Sequence, residues 1–114
     1  MIKEGNITVI VKDLDKSVLF YHSLGLQIKR RWNNNYAQLT APGLIVGLHP
    51  TESTNVYGNA GNVSIGFNID SIEEAKALLQ KIVVPFTERN EEGGQFLHFT
   101  DPDGTGLYFI KPKW

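Results

Sequence analysis

One pattern of elements occurs twice in this chain, and that repeat narrows the architectures open to 114 residues more than any single motif does. Residues 6–11 alternate as a strand should, with Ile7, Val9 and Val11 on one face. Asp13 or Asp15 then supplies a helix N-cap, because a short carboxylate accepts from the unpaired N–H groups of the first turn. The helix is expected over residues 15–24, with Val18, Tyr21 and Leu24 on its inner stripe and Gly25 as a left-handed stop. Strands are expected at residues 26–32, 36–40 and 44–49, the last two joined by a Pro42-Gly43 turn. After a polar, glycine-rich stretch at 50–62 the order starts again. Residues 63–70 read as a strand, and Ser71 with Glu74 as a capping box. A helix to about Ile82 and strands at 84–88, 95–100 and 106–111 complete the copy. The order β-α-β-β-β, linker, β-α-β-β-β repeats in pattern with almost no shared identity. A ferredoxin-like βαββαβ unit can be cut from part of it, but two strands are then left over.

Composition removes several function classes. The 11 Lys and Arg against 12 Asp and Glu give a net charge of −1, so no basic excess is available to neutralise nucleic-acid phosphates. No cysteine is present, which excludes disulfides and thiolate chemistry and fits a reducing cytoplasm. Met1-Ile2-Lys3-Glu4-Gly5 carries no signal-peptide core, and no apolar run approaches the roughly 20 residues of a membrane helix. Neither a nucleic acid nor a membrane is expected as a partner.

Asp13, Asp15, Ser17, Phe20, Tyr21, Leu24 and Gly25 mark the start and stop of the first helix, and Asp101-Pro102-Asp103-Gly104 precedes the last strand. With the repeat, these residues resemble the vicinal oxygen chelate superfamily over the whole chain. That superfamily includes glyoxalase I, extradiol dioxygenases, epimerases, fosfomycin-modifying transferases and bleomycin-sequestering resistance proteins. The resemblance implies an α+β fold of two βαβββ modules, forming a curved mixed sheet around an inner cavity with the helices outside. One domain over 1–114 would comprise module one at 6–49, a linker at 50–62 and module two at 63–111. It also implies a homodimer.

Alternation assigns the cavity face. With Ile7, Val9 and Val11 beneath the helix, Asn6, Thr8 and Ile10 face the cavity. The same parity presents Tyr36, Gln38 and Thr40, then Ile45, Gly47 and His49. In module two it presents Ser64, Gly66 and Asn68, His98 and Thr100, and Tyr108 and Ile110. Trp32 and Tyr36 form an aromatic wall or a plain cross-strand pair, and Lys29-Arg30-Arg31 reads either as a solvated edge or as a run from which Arg30 meets an anionic ligand. Tyr57 in the linker suits either a lid over the cavity or a plain exposed loop tyrosine.

Metal-dependent members of the superfamily place His, Gln or Glu at four inward positions. Motif matching puts these at Asn6, about Gly47, Ser64 and Tyr108, and none is a good ligand. A slip of two residues would bring in His49, restoring one ligand at most. No metal or other cofactor is therefore expected.

The segments Leu48-His49-Pro50 and 101–107 look like the bleomycin resistance class. The implied function is metal-independent binding or sequestration of a small organic ligand. The expected ligand-binding residues are Asn6, Thr8, Tyr36, Gln38, His49, Tyr57, Ser64, Asn68, His98 and Tyr108, with no catalytic or metal residue among them. Two alternatives remain open at this point. One is a metal-dependent lyase or dioxygenase with displaced ligands, for which His49 and His98 are the candidates. The other is a non-catalytic interaction or regulatory module. His49 and His98 read either as hydrogen-bonded wall residues or as an acid–base pair.

Overall fold

Two β-rich runs, each interrupted by one capped helix, build two four-stranded sheets. The computed structural model describes residues 1–52 and 63–113. In the first run, β1 (Ile7–Val11) leads into α1 (Leu14–Leu24), followed by β2 (Gln27–Trp32), β3 (Tyr36–Ala41) and β4 (Leu44–Pro50). In the second, β5 (Ser64–Asn68) leads into α2 (Ile72–Lys81), then β6 (Thr87–Glu91), β7 (Gly94–Thr100) and β8 (Gly106–Pro112). The chain divides into two compact units, one carrying β1–β4 with α1 and the other β5–β8 with α2. Their sheet orders match: β1-β4-β3-β2 and β5-β8-β7-β6. In each, the first strand pairs in parallel with the last and the rest are antiparallel.

The helices begin and end where short-range chemistry requires. Asp13 caps α1 by accepting from Lys16 N at 3.1 Å, and Gly25 stops it at φ 119°. Ser71 Oγ accepts from Glu74 N at 3.1 Å to cap α2. In the first unit, Val9, Val11, Leu39, Val46 and Leu48 are buried with Leu14, Val18, Tyr21 and Leu24 of α1. In the second, Ile65, Leu97, Phe99, Leu107 and Phe109 are buried with Ile72, Ala75 and Leu79 of α2. Each sheet therefore has one face toward its helix and one helix-free face.

Four expectations need correction. Strand β6 begins three residues later than expected and reaches Glu91. Pro85 has no N–H to give a ladder, while a two-residue turn pairs Glu91 directly with Gly94 and draws the strand toward it. Ile7 is 38% exposed, because it starts an edge strand. Ile110 is buried although its parity is that of the helix-free face. Pro50 belongs to β4, in register with Val11, and not to a linker. Tyr57 lies outside the described residues.

Candidate functional site: two helix-free sheet faces

The first face centres on Tyr36. Strand β3 places Gln38 opposite Gly47, and β1 places Thr8 opposite the same glycine. With no side chain on Gly47, the Tyr36 ring leans across it, and a Cβ there would lie 2.9 Å from Cζ and 3.0 Å from Cε1 of the phenol. This cover buries Gly47 on the face where parity left it open. The phenolic oxygen accepts from Gln38 Nε2 at 3.1 Å and from Asn6 Nδ2 at 3.5 Å, and Asn6 Nδ2 also lies 3.3 Å from Thr8 Oγ1. Asn6, Thr8, Tyr36 and Gln38 thus form one hydrogen-bonded group. With its oxygen accepting from both amides, the Tyr36 O–H still has a proton to donate.

Aromatic neighbours extend this group to either side. Trp32 stacks on Tyr36 with centroids 5.5 Å apart and planes at 27°, and the His49 ring lies 6.5 Å from Tyr36. His49 Nδ1 donates to the Pro50 carbonyl at 2.9 Å, which leaves Nε2 as the outward-facing nitrogen. His49 also borders an open polar cleft of about 460 Å³ that Lys12, Asn34, Asn35 and Thr51 help to line.

The basic run on β2 is split between faces. Lys29 Nζ binds Glu4 at 2.9 Å, and this bond and charge hold the Glu4 carboxyl below its usual range. Arg31 pairs with Asp15 and donates to Asn33 O at 2.8 Å. Arg30 points the other way, opposite Gln38, with its guanidinium carbon 5.7 Å from the Trp32 ring centre.

The second face is a cluster of three rings. His98 stacks on Phe96 at 5.7 Å with planes at 7°, and Tyr108 lies 5.9 Å from His98 and 6.0 Å from Phe96. Here too a tyrosine covers a glycine: Tyr108 lies opposite Gly66, and a Cβ on Gly66 would overlap the phenol. Ser64 and Asn68 stand exposed at either end of the same strand. Phe96 was absent from the expected site, although it shares the parity of His98. The seating of Tyr36 and Tyr108 on glycines was also missed; its only sequence signal is an interior-strand glycine one strand away from a tyrosine.

A family model described as the Glyoxalase/Bleomycin resistance protein/Dioxygenase superfamily matches residues 5–109. The chain belongs to this superfamily. It is 32% identical over 108 residues to the glutathione transferase FosA of Serratia marcescens, covering 90% of this chain and 76% of that protein. Among solved structures, the fosfomycin resistance protein FosX of Listeria monocytogenes matches with TM-score 0.80 at 21% identity, over 99% of this chain and 95% of that one. A bleomycin-binding protein solved with bleomycin matches with TM-score 0.73 at 19% identity, over 98% and 100%. The two four-stranded mixed sheets with their helices are the fold of these neighbours.

The Listeria FosX has also been solved with Mn(II) and sulfate, again at TM-score 0.80, with 22% identity over 99% of this chain and 93% of that one. In this superfamily member, the four positions that motif matching assigns to metal ligands do not fit one. They carry an amide (Asn6), a bare backbone (Gly47), a hydroxyl (Ser64) and a phenol (Tyr108). Asn6 Nδ2 and the space over Gly47 are moreover engaged by Tyr36. Among the described residues, no three His, Asp or Glu side chains come together as a metal site. Among the same residues, no helix is long and apolar enough to cross a membrane.

Proposed function

We propose that this superfamily member is a metal-independent small-molecule binding or sequestering protein. A ligand is held on a helix-free sheet face by polar and aromatic side chains, and the protein acts as a cytoplasmic homodimer. The observation that carries the reading is the Tyr36 phenol on Gly47, hydrogen-bonded by Asn6 and Gln38 where metal-dependent relatives place ligands. Such a face can bind through donors and ring surfaces, which is what a mostly apolar site with a few placed polar groups requires. The ligand contacts assigned by this reading are Asn6, Thr8, Tyr36, Gln38 and His49 on the first face, and Ser64, Asn68, His98 and Tyr108 on the second.

Elemental analysis of the purified protein tests the metal claim, alongside ligand-induced thermal shifts in the presence and absence of EDTA. Metal well below one equivalent and shifts indifferent to EDTA are expected. Stoichiometric metal, or shifts abolished by the chelator, would overturn the reading. Light scattering in solution checks the dimer.

A second reading rests on the 32% identity to a glutathione transferase: the chain is an enzyme of the same superfamily. Turnover of an electrophile that depends on glutathione and is lost with EDTA would favour it.

A further inference from the structure

We infer that the helix-free face of the first unit selects planar aromatic carboxylates, with Arg30 holding the carboxylate and Trp32 the ring. This rests on the metal-free binding reading and adds the chemical class of the ligand.

The argument starts from three consecutive cations that share one strand but not one environment. Lys29 is neutralised by Glu4 and Arg31 by Asp15. Arg30 has no carboxylate within 4.0 Å among the described residues, and Glu4, which its charge also reaches, is bonded to Lys29. Its guanidinium instead lies over Trp32, which keeps the five-donor fork directed along an aromatic surface.

The surroundings favour an anion. Asn6, Thr8, Gln38 and Tyr36 are neutral groups able to donate, and neither β1, β3 nor β4 carries an Asp or Glu. An approaching carboxylate therefore meets donors and one positive charge, with no like charge on these strands to repel it. A simple ion pair at so exposed an arginine is worth little in water. A bidentate carboxylate–guanidinium contact beside a ring that excludes water is worth more.

The ring requirement comes from Trp32. With Tyr36 stacked on it and the Arg30 guanidinium 5.7 Å from its centre, Trp32 is still 48% exposed, so ring surface beyond these two contacts is open to a ligand. A planar ligand lying along Trp32 extends the stack and brings a ring carboxylate to Arg30 two residues away on the same face.

Isothermal titration calorimetry in EDTA-containing buffer, with 2-naphthoate and its neutral isostere 2-naphthamide, tests this. The wild type should bind the acid about tenfold more tightly than the amide, the difference expected of one good charge-assisted contact. Arg30→Gln should abolish that preference, whereas Trp32→Leu should weaken both ligands. Both residues are exposed, and an unchanged melting temperature in each variant verifies folding. Equal affinity of the wild type for acid and amide, a preference that survives Arg30→Gln, or failure of both probes to bind would overturn the inference. Those outcomes leave the metal content unaltered, so the parent reading stands or falls separately; binding that appears only when a divalent metal replaces the EDTA would overturn the parent reading instead.

Discussion

The Tyr36 phenol leans over the bare backbone of Gly47, and its oxygen gathers the amide groups of Asn6 and Gln38. The arrangement ties the residue just before β1 to β3 across β4, which at Gly47 contributes no side chain. Tyr108 likewise covers Gly66 on the neighbouring strand β5.

Substituting Gly47→Ala should separate binding from stability. The atoms a new Cβ would meet belong to the far end of a tyrosine, which can swing away, so unfolding free energy should fall by no more than about 1 kcal/mol. The hydrogen bonds to Asn6 and Gln38 go with the phenol, and ligand-induced thermal shifts should shrink. Denaturant titration and thermal shift on the same variant check the two halves.

Gly94 presents the opposite case. Its φ is 146°, and a Cβ would meet the Lys111 carbonyl and the Pro112 backbone, which cannot swing aside. Gly94→Ala should therefore cost more than Gly47→Ala, about 2 kcal/mol or above, read from the urea midpoint. Equal midpoints for the two variants would contradict this.

Asp101 is buried at the tight turn before β8, where its carboxylate accepts from Asp103 N and Thr105 N, both at 2.9 Å. Asp101→Ala leaves two N–H groups without that acceptor and should destabilise the protein by about 1–3 kcal/mol. Asp101→Asn retains an acceptor oxygen and should recover part of the loss.

Two exposed ion pairs give opposite dependence on pH. Glu4 titrates below its ordinary 4.5 because Lys29 bonds to its charged form, so its contribution is present above that value and fades as pH falls through the depressed one. Lys76 titrates above its ordinary 10.5 because Glu88 accepts from it at 2.7 Å, so its contribution is present below 10.5 and fades as pH rises through the elevated one. Carboxyl-carbon NMR titration should show the Glu4 midpoint rise in Lys29→Gln, and the rise should diminish in high salt.

Much of this was legible from residue order because the controlling interactions are local. Asp13, Ser71 and Gly25 act within one turn of the helices they bound. The Pro42-Gly43 turn pairs Ala41 with Leu44, and counting back along the two strands places Gln38 opposite Gly47. That count does not say which way Tyr36 leans, because a diagonal neighbour is reached only through the side chain's own torsions. The β6 boundary slipped for a similar reason: apolar Val84 and Phe86 look like strand residues, but the Glu91–Gly94 pairing sets the ladder. Alternation separates Arg30 from Arg31, but the pairing of Lys29 with Glu4 and of Arg31 with Asp15 depends on acids that the fold brings near, which alternation cannot supply.

The parallel pairing of each unit's first and last strands has a consequence for how the unit is completed. Hairpins β2–β3 and β3–β4 close over short turns, whereas Ile7 must find Val46, 39 positions further along the chain. Loop closure over that distance costs more conformational entropy than either hairpin, so β1 should dock onto a sheet already formed and its amides should be the first to exchange with solvent. Asn6 and Thr8 travel with that late strand, while Tyr36 and Gln38 wait on the early one. A ligand gripping both sets would act as a clasp, making its own capture and the closing of the module a single event.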